Sequence, residues 1–247
     1  MTYCAAMKLD RGLVFASDTR TNAGVDNIAK FRKTYLWRNP GDRVLVLLSA
    51  GNLSVSQSVH SILNEALQKA DKNSEFGDET LFTVSSLYRT ARLVGAALRE
   101  VRAVDGPTLE SSETGFNASF IFGGQIGSEP PRLFQIYGEG NFIEATEETP
   151  FLQIGEHKYG KPILDRVADP KMRLGEAAKL LLLSFDSTIR SNLSVGMPLD
   201  LLIYERDRLD VERQMRIEEN DNYFNELSED WSEALRNAFS SSRELDI

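Results

Sequence analysis

The chain has 247 residues, 41% of them hydrophobic, which is enough to bury a sizeable core in what is often a single domain at this length. Its net charge of -9 disfavours nucleic acid and anionic membrane as partners, because both would repel it. A lone cysteine, Cys4, excludes an internal disulfide, and the apolar runs 44–48 and 180–183 fall far below the roughly 20 residues that a membrane span needs.

The first ten residues lack a basic segment and a long apolar segment, so no signal peptide is expected and the cytoplasm is the default location. Residues 2–9 and 13–17 read as a hairpin closed by Asp10-Arg11-Gly12, and residues 33–37 and 43–50 as a second pair across Asn39-Pro40-Gly41-Asp42. Two helical patterns follow, one through Leu53, Val59, Ile62, Leu63, Ala66 and Leu67, the other from Leu81 through Leu98 to Val101. After a loop over residues 110–115, strands are expected at 118–122, 133–137 and 141–145, with turns at Gly123-Gly124 and at residues 138–141. Gly123-Gly124-Gln125-Ile126-Gly127 lacks the lysine of a phosphate-binding P-loop and is read as a turn.

Helices return over residues 159–167 and 174–185, and residues 199–204 form a closing strand. Two sheets, each with one face toward the other and one toward helices, make an α+β chain of four layers in αββα order. Residues 1–205 are assigned to this domain and residues 206–247 to a charged, partly helical extension. The extension's apolar residues Tyr223, Phe224, Leu227, Trp231, Leu235 and Phe239 need cover, from the same domain or from a neighbouring subunit.

Thr2 carries the chemical interest. Loss of Met1 leaves a hydroxyl and a free α-amine on one residue, a nucleophile with its own base. An α-amine with a pKa of about 7.7–8.0 is well matched to take the hydroxyl proton. If the first three strands are neighbours, Asp18 and Lys33 fall beside Thr2: the ammonium favours a developing alkoxide and the carboxylate fixes the ammonium. Gly51, where a strand runs into a helix start, is the oxyanion-hole candidate. Taken singly, Asp18 is explained as a strand-end turn, Lys33 as a solvated charge and Gly51 as a spacer. Two histidines and one cysteine make no metal-ligand cluster, so neither metal nor cofactor is expected.

In combination, Thr2, Ser17-Asp18-Thr19-Arg20 followed by Ala23-Gly24, Lys33 and Ser49-Ala50-Gly51 resemble the proteasome β-subunit pattern of N-terminal threonine hydrolases. With IGEHKYGKPILDR and SFDSTIRSNLSVGMP later in the chain, the sequence most closely resembles the bacterial proteasome-like group called Anbu, over roughly residues 1–205. The resemblance implies an N-terminal nucleophile hydrolase fold and threonine peptidase chemistry, with Thr2 attacking an amide carbonyl, Gly51 holding the oxyanion, Lys33 tuning Thr2 and Asp18 supporting Lys33. It also implies a multisubunit ring or open helical assembly acting on peptide or unfolded protein. Ser194 matches the family's serine near the terminal amine, whereas Ser191 stands where proteasomes have aspartate and Glu156 where they have a serine. Glu156 either holds the amine or is a helix-start carboxylate. The family's substrate pocket maps onto Thr21, Phe31, Tyr35, Ser49, Leu53 and Gln57, and period-two alternation puts Phe31 and Tyr35 on the face of Lys33. Such a pocket suits an uncharged, moderately large side chain. Two other functions fit the same residues: a non-catalytic assembly subunit or binding protein, and an amidase acting on small amides.

Overall fold

The computed structural model describes residues 2–22, 28–68, 79–111, 115–211 and 213–246. The expected first hairpin is β1 (Tyr3–Leu9) against β2 (Gly12–Asp18), with Cys4 opposite Ser17 and Leu9 opposite Gly12. Gly12 has φ +140°, and a Cβ there would overlap the Tyr204 carbonyl oxygen, so this turn requires glycine. Short β3 (Arg20–Asn22) and β4 (Ile28–Lys30) make a separate ribbon. β5 (Thr34–Asn39) and β6 (Arg43–Gly51) form the second hairpin, where the Asp42 N–H donates to the Asn39 carbonyl at 2.9 Å.

α1 (Leu53–Gln68) follows as expected, but α2 (Leu87–Glu110) begins later than the pattern from Leu81 suggested. Ser86 takes the N-cap position and accepts from the Arg89 N–H at 3.3 Å. Leu81 and Val84 are buried all the same, in the approach to the helix, and their carbonyls accept from Arg43 Nη1 at 3.1 and 3.0 Å.

β7 (Ala118–Ile126) corrects the reading of Gly123-Gly124 as a turn, because the strand runs straight through both glycines. A Cβ on Gly124 would overlap the Val44 carbonyl on the neighbouring strand, and one on Gly123 would meet Phe15 and Leu133, so glycine marks close packing here. β8 (Arg132–Ile136) and β9 (Phe142–Glu144) complete that sheet. β10 (Phe151–Gly155) was not among the expected strands, although its apolar run between Pro150 and Gly155 is a short strand signal.

The remainder is α3 (Lys161–Val167), α4 (Leu174–Ser191), β11 (Leu199–Glu205), β12 (Arg213–Ile217) and α5 (Asn222–Ser240). β12 also escaped the sequence reading: it is an edge strand with only Ile217 buried, so it shows no apolar alternation.

Both large sheets are antiparallel, in the orders β10-β1-β2-β11-β12 and β5-β6-β7-β8-β9. Three apolar clusters hold the α+β chain together. Phe120, Phe122 and Phe134 pack with α1 and α2 residues such as Val59, Leu87 and Leu98. Tyr3, Ala5 and Met7 pack with Leu181 and Phe185 of α4 and Phe224 of α5. Between the sheets, Cys4, Ala6, Leu13 and Phe15 meet Val44, Val46, Leu48 and Ile121. No described helix is long and apolar enough to cross a membrane.

Candidate active site

Antiparallel pairing gathers one end of each sheet at the same place. Tyr3 lies opposite Gly155, Cys4 opposite Ser17, and Asp18 opposite Leu199, so the start of β1, the end of β2 and the end of β10 are side by side. From the other sheet, Thr34 at the start of β5 pairs with Leu48, and its hydroxyl shares a 2.8 Å hydrogen bond with Ser17. This bond and the 3.4 Å contact of the Cys4 thiol with the Ser49 carbonyl tie the sheets together beneath Thr2.

Thr2 is buried at the head of β1. The Glu156 N–H donates to its carbonyl at 2.7 Å, and Gly155, at φ +80°, approaches so closely that a Cβ would overlap that carbonyl oxygen. On the other side, the Tyr3 N–H donates to Asp18 Oδ1 at 3.1 Å. Tyr3 is itself fixed: its hydroxyl shares a 2.6 Å bond with Ser184, accepts from Gln153 Nε2 at 2.5 Å, and its ring lies 4.4 Å from that of Phe185. Burial pushes the Tyr3 pKa up to about 12, with the Ser184 and Gln153 bonds opposing the rise.

Asp18 and Lys33 form a buried ion pair at 2.7 Å, 0% and 3% exposed. The ammonium also donates to the Arg20 carbonyl at 2.5 Å. Asp18 collects three donors: Lys33 and the Tyr3 N–H on Oδ1, and the Gly196 N–H on Oδ2 at 3.4 Å. Burial raises its pKa, and Lys33 and the two N–H groups pull against that rise. Burial also pushes the Cys4 thiol well above its ordinary range, which leaves it an inert core group.

Gly51 ends β6 at φ +102°, exposed, where a Cβ would overlap the Asn117 carbonyl. Next to it, the Asn52 N–H donates to that same carbonyl at 2.6 Å. Ser49 is buried with its N–H on the Lys33 carbonyl at 3.0 Å, and Tyr35 stacks on His60 at 4.1 Å. Leu53 and Gln57 lie on the first turns of α1, half-buried and exposed, and Thr21 is half-buried on β3. Residues 31–33 lie outside any strand, so period-two alternation does not relate Phe31 to Lys33: Phe31 is 39% exposed where Lys33 is buried.

The later motifs are placed differently from Asp18 and Lys33. Ser191 is the exposed last residue of α4, and Ser194 is half-buried with its N–H on Asn192 Oδ1 at 2.9 Å. Among the described residues neither hydroxyl has a hydrogen-bond partner, and Gly196, which the sequence reading passed over, is what that loop contributes to Asp18. Glu156 contributes its N–H to Thr2, while its half-buried carboxylate pairs with no cation among the described residues. Met1, Ala23 and Gly24 lie outside the described residues. No group of three or more His, Cys, Asp or Glu side chains suited to a metal ion occurs among the described residues.

No protein-family model and no curated protein matches the chain. Solved structures do. Anbu from Hyphomicrobium sp. strain MC1 is 63% identical over 100% of both chains, with a TM-score of 0.92. Anbu from Yersinia bercovieri, described as an ancestral beta-subunit, is 48% identical over 100% of this chain and 99% of its own, with a TM-score of 0.90. The chain belongs to the Anbu family. A further Anbu, from Pseudomonas aeruginosa and solved as a helical assembly, is 48% identical over 99% of this chain and 98% of its own, with a TM-score of 0.92. Full-length likeness to Anbu extends through β12 and α5, beyond the stretch on which the sequence resemblance rested.

Proposed function

We propose that the chain is a threonine-type peptidase of proteasome kind, with a four-layer αββα N-terminal nucleophile hydrolase fold, in which Thr2 becomes the nucleophile once Met1 is removed. The buried Asp18–Lys33 pair, anchored through the Tyr3 N–H to the residue beside Thr2, carries this reading. Asp18 holds the lysine ammonium in place, and an ammonium favours the alkoxide form of a neighbouring hydroxyl. Thr2 attacks the amide carbonyl, its α-amine takes the hydroxyl proton and returns it to the leaving amine, and water then hydrolyses the acyl-enzyme. Gly51 supplies an oxyanion donor, a contribution of roughly 2.7–4 kcal/mol where such donors have been removed. Tyr35, Ser49 and Leu53, with Thr21, Phe31 and Gln57, line the substrate pocket and select uncharged side chains of moderate size. The protein works in the cytoplasm as a homo-oligomer, in keeping with the helical assembly of the Pseudomonas aeruginosa relative.

Treatment with an epoxyketone or β-lactone probe followed by intact mass measurement tests the reading. The expected result is a chain lacking Met1 and carrying one adduct, with none on Thr2→Ala. Retention of Met1 on all protein, or no adduct on processed chain, overturns it. The hydroxyls of Ser191 and Ser194, which have no partner among the described residues, favour a second reading, a non-catalytic assembly subunit, for which the chain would assemble normally while Thr2 stays unlabelled.

A further inference from the structure

Leu53 and Gln57 stand at one end of a single face of α1, which His60 and Asn64 continue at helical spacing. Leu53, His60 and Asn64 are half-buried on this face, whereas Val55, Val59 and Leu63 of the same helix are buried in the core. β5 supplies what the face meets. Tyr35 and Trp37 alternate onto one side of the strand, opposite Leu47 and Leu45 of β6. The Tyr35 ring stacks on His60 at 4.1 Å with 26° between the planes, and Trp37 lies 5.5 Å from the same imidazole. Trp37 is buried, and its Nε1–H donates to Asn64 Oδ1 at 2.7 Å.

That bond orients the amide. An indole nitrogen only donates, so Asn64 must turn its oxygen to Trp37, and its amide nitrogen then faces His60, 2.9 Å from Nε2 and 3.2 Å from Nδ1. The amide nitrogen in turn only donates, so the imidazole must offer a lone pair, which its neutral form alone carries. Burial lowers the His60 pKa and favours that form. Trp37 therefore fixes Asn64, Asn64 fixes His60, and the His60 ring backs Tyr35, which cannot turn without losing the stack.

Tyr35 is only half-buried, so part of its ring stays open, and Phe31, assigned to the same substrate pocket, is 39% exposed. The other assigned residues, Thr21, Ser49, Leu53 and Gln57, carry no charge, so a charged side chain would lose its water there and gain no partner. An aromatic side chain gains more than an aliphatic one. Rings favour offset or edge-to-face contact, which gives roughly a twofold to tenfold preference per pair beyond the area buried. Such contacts depend on the orientation of the wall ring.

We infer that His60 is a positioning residue, oriented by Asn64 and Trp37, that holds the Tyr35 ring as a pocket wall and so makes the site selective for peptides with an aromatic side chain preceding the cut bond. This inference rests on the peptidase reading and on the pocket assigned with it.

Two peptide epoxyketones that differ only in carrying phenylalanine or leucine beside the reactive group test it. Adduct formation on the full-length chain is followed by intact mass, and a cooperative melt confirms that each variant is folded. Wild type is expected to be labelled at least about threefold faster by the phenylalanine probe. His60→Leu keeps bulk without a ring and is expected to bring this ratio close to unity, through a weaker KI for the phenylalanine probe. His60→Phe restores a ring and is expected to keep the preference. Asn64→Leu is expected to lower the ratio in the same direction, and the double variant His60→Leu/Asn64→Leu no further than His60→Leu, because both act on one ring. A residue that only filled space would slow both probes alike. Equal loss on both probes in His60→Leu, an unchanged ratio in His60→Leu or Asn64→Leu, loss of the preference in His60→Phe, or no preference in wild type overturns the inference and leaves the peptidase reading intact. No adduct from either probe on chain that has lost Met1 overturns the peptidase reading, and the inference with it.

Discussion

Removing either member of the Asp18–Lys33 pair strands the other charge in the interior, beneath the residue proposed to react. Asp18→Asn and Lys33→Met are each expected to cost about 3–5 kcal/mol, the usual consequence of an uncompensated buried charge. The double variant is expected to cost clearly less than the sum, because neither charge is then left alone, and urea denaturation of the four proteins checks this. Tyr3 sets a second expectation at this scale. Its pKa is raised from 10.0 to about 12, so its contribution is complete below pH 10 and is lost as pH rises through 12. Wild type is expected to lose roughly 2–3 kcal/mol more than Tyr3→Phe across that window, at about 1.4 kcal/mol per pKa unit. Tyr35 and Tyr204, also raised by burial, contribute equally to both proteins and cancel in the difference measured by alkaline denaturation.

Glycines separate what an element tolerates from what its neighbours impose. In β7, Gly124 lies flat against β6, where a Cβ has no space beside the Val44 carbonyl. In the first turn of α4, Gly175 is exposed and a Cβ would meet nothing within 4 Å. Gly124→Ala is therefore expected to destabilise by about 1–3 kcal/mol through overpacking, while Gly175→Ala stabilises by roughly 0.5–1 kcal/mol by restricting the unfolded chain and favouring the helix. Thermal melts of the two variants beside wild type decide the sign of each. The same contrast explains the misread Gly123-Gly124 pair: in sequence a glycine pair marks a turn as readily as a place where two backbones come close.

At the scale of the whole molecule, the last two elements belong to the sheet and core that position Thr2. β12 pairs with β11, which in turn pairs with β2 beside Asp18, and Ile217 and Phe224 are buried in the cluster that holds Tyr3. A chain ending after Glu205 uncovers that cluster and leaves β11 as an open edge. Loss of Ile217 and Phe224 burial alone amounts to roughly 3–6 kcal/mol, a large share of the 5–15 kcal/mol that stabilises a typical domain. The truncated chain is expected to be unstable or aggregated, as judged by a lowered or absent cooperative melt.

The sequence by itself determined the hairpins, the helices and the candidate nucleophile setting, because these rest on local signals: alternation, helical spacing, turn residues and the run from Thr2 through Asp18 to Lys33. Tertiary structure decided what no local pattern records. β12 is legible only as a partner of β11, since an edge strand exposed on nearly every residue needs no apolar period. Gly196 reaches Asp18 across 178 positions of chain, through a backbone N–H that any residue carries and only folding can aim. Ser191 and Ser194, singled out by motif, have no hydroxyl partner among the described residues, and it is a backbone N–H of the loop after α4, that of Gly196, that reaches the carboxylate. Side-chain identity is written in the sequence, whereas the direction of a main-chain donor is set by the fold.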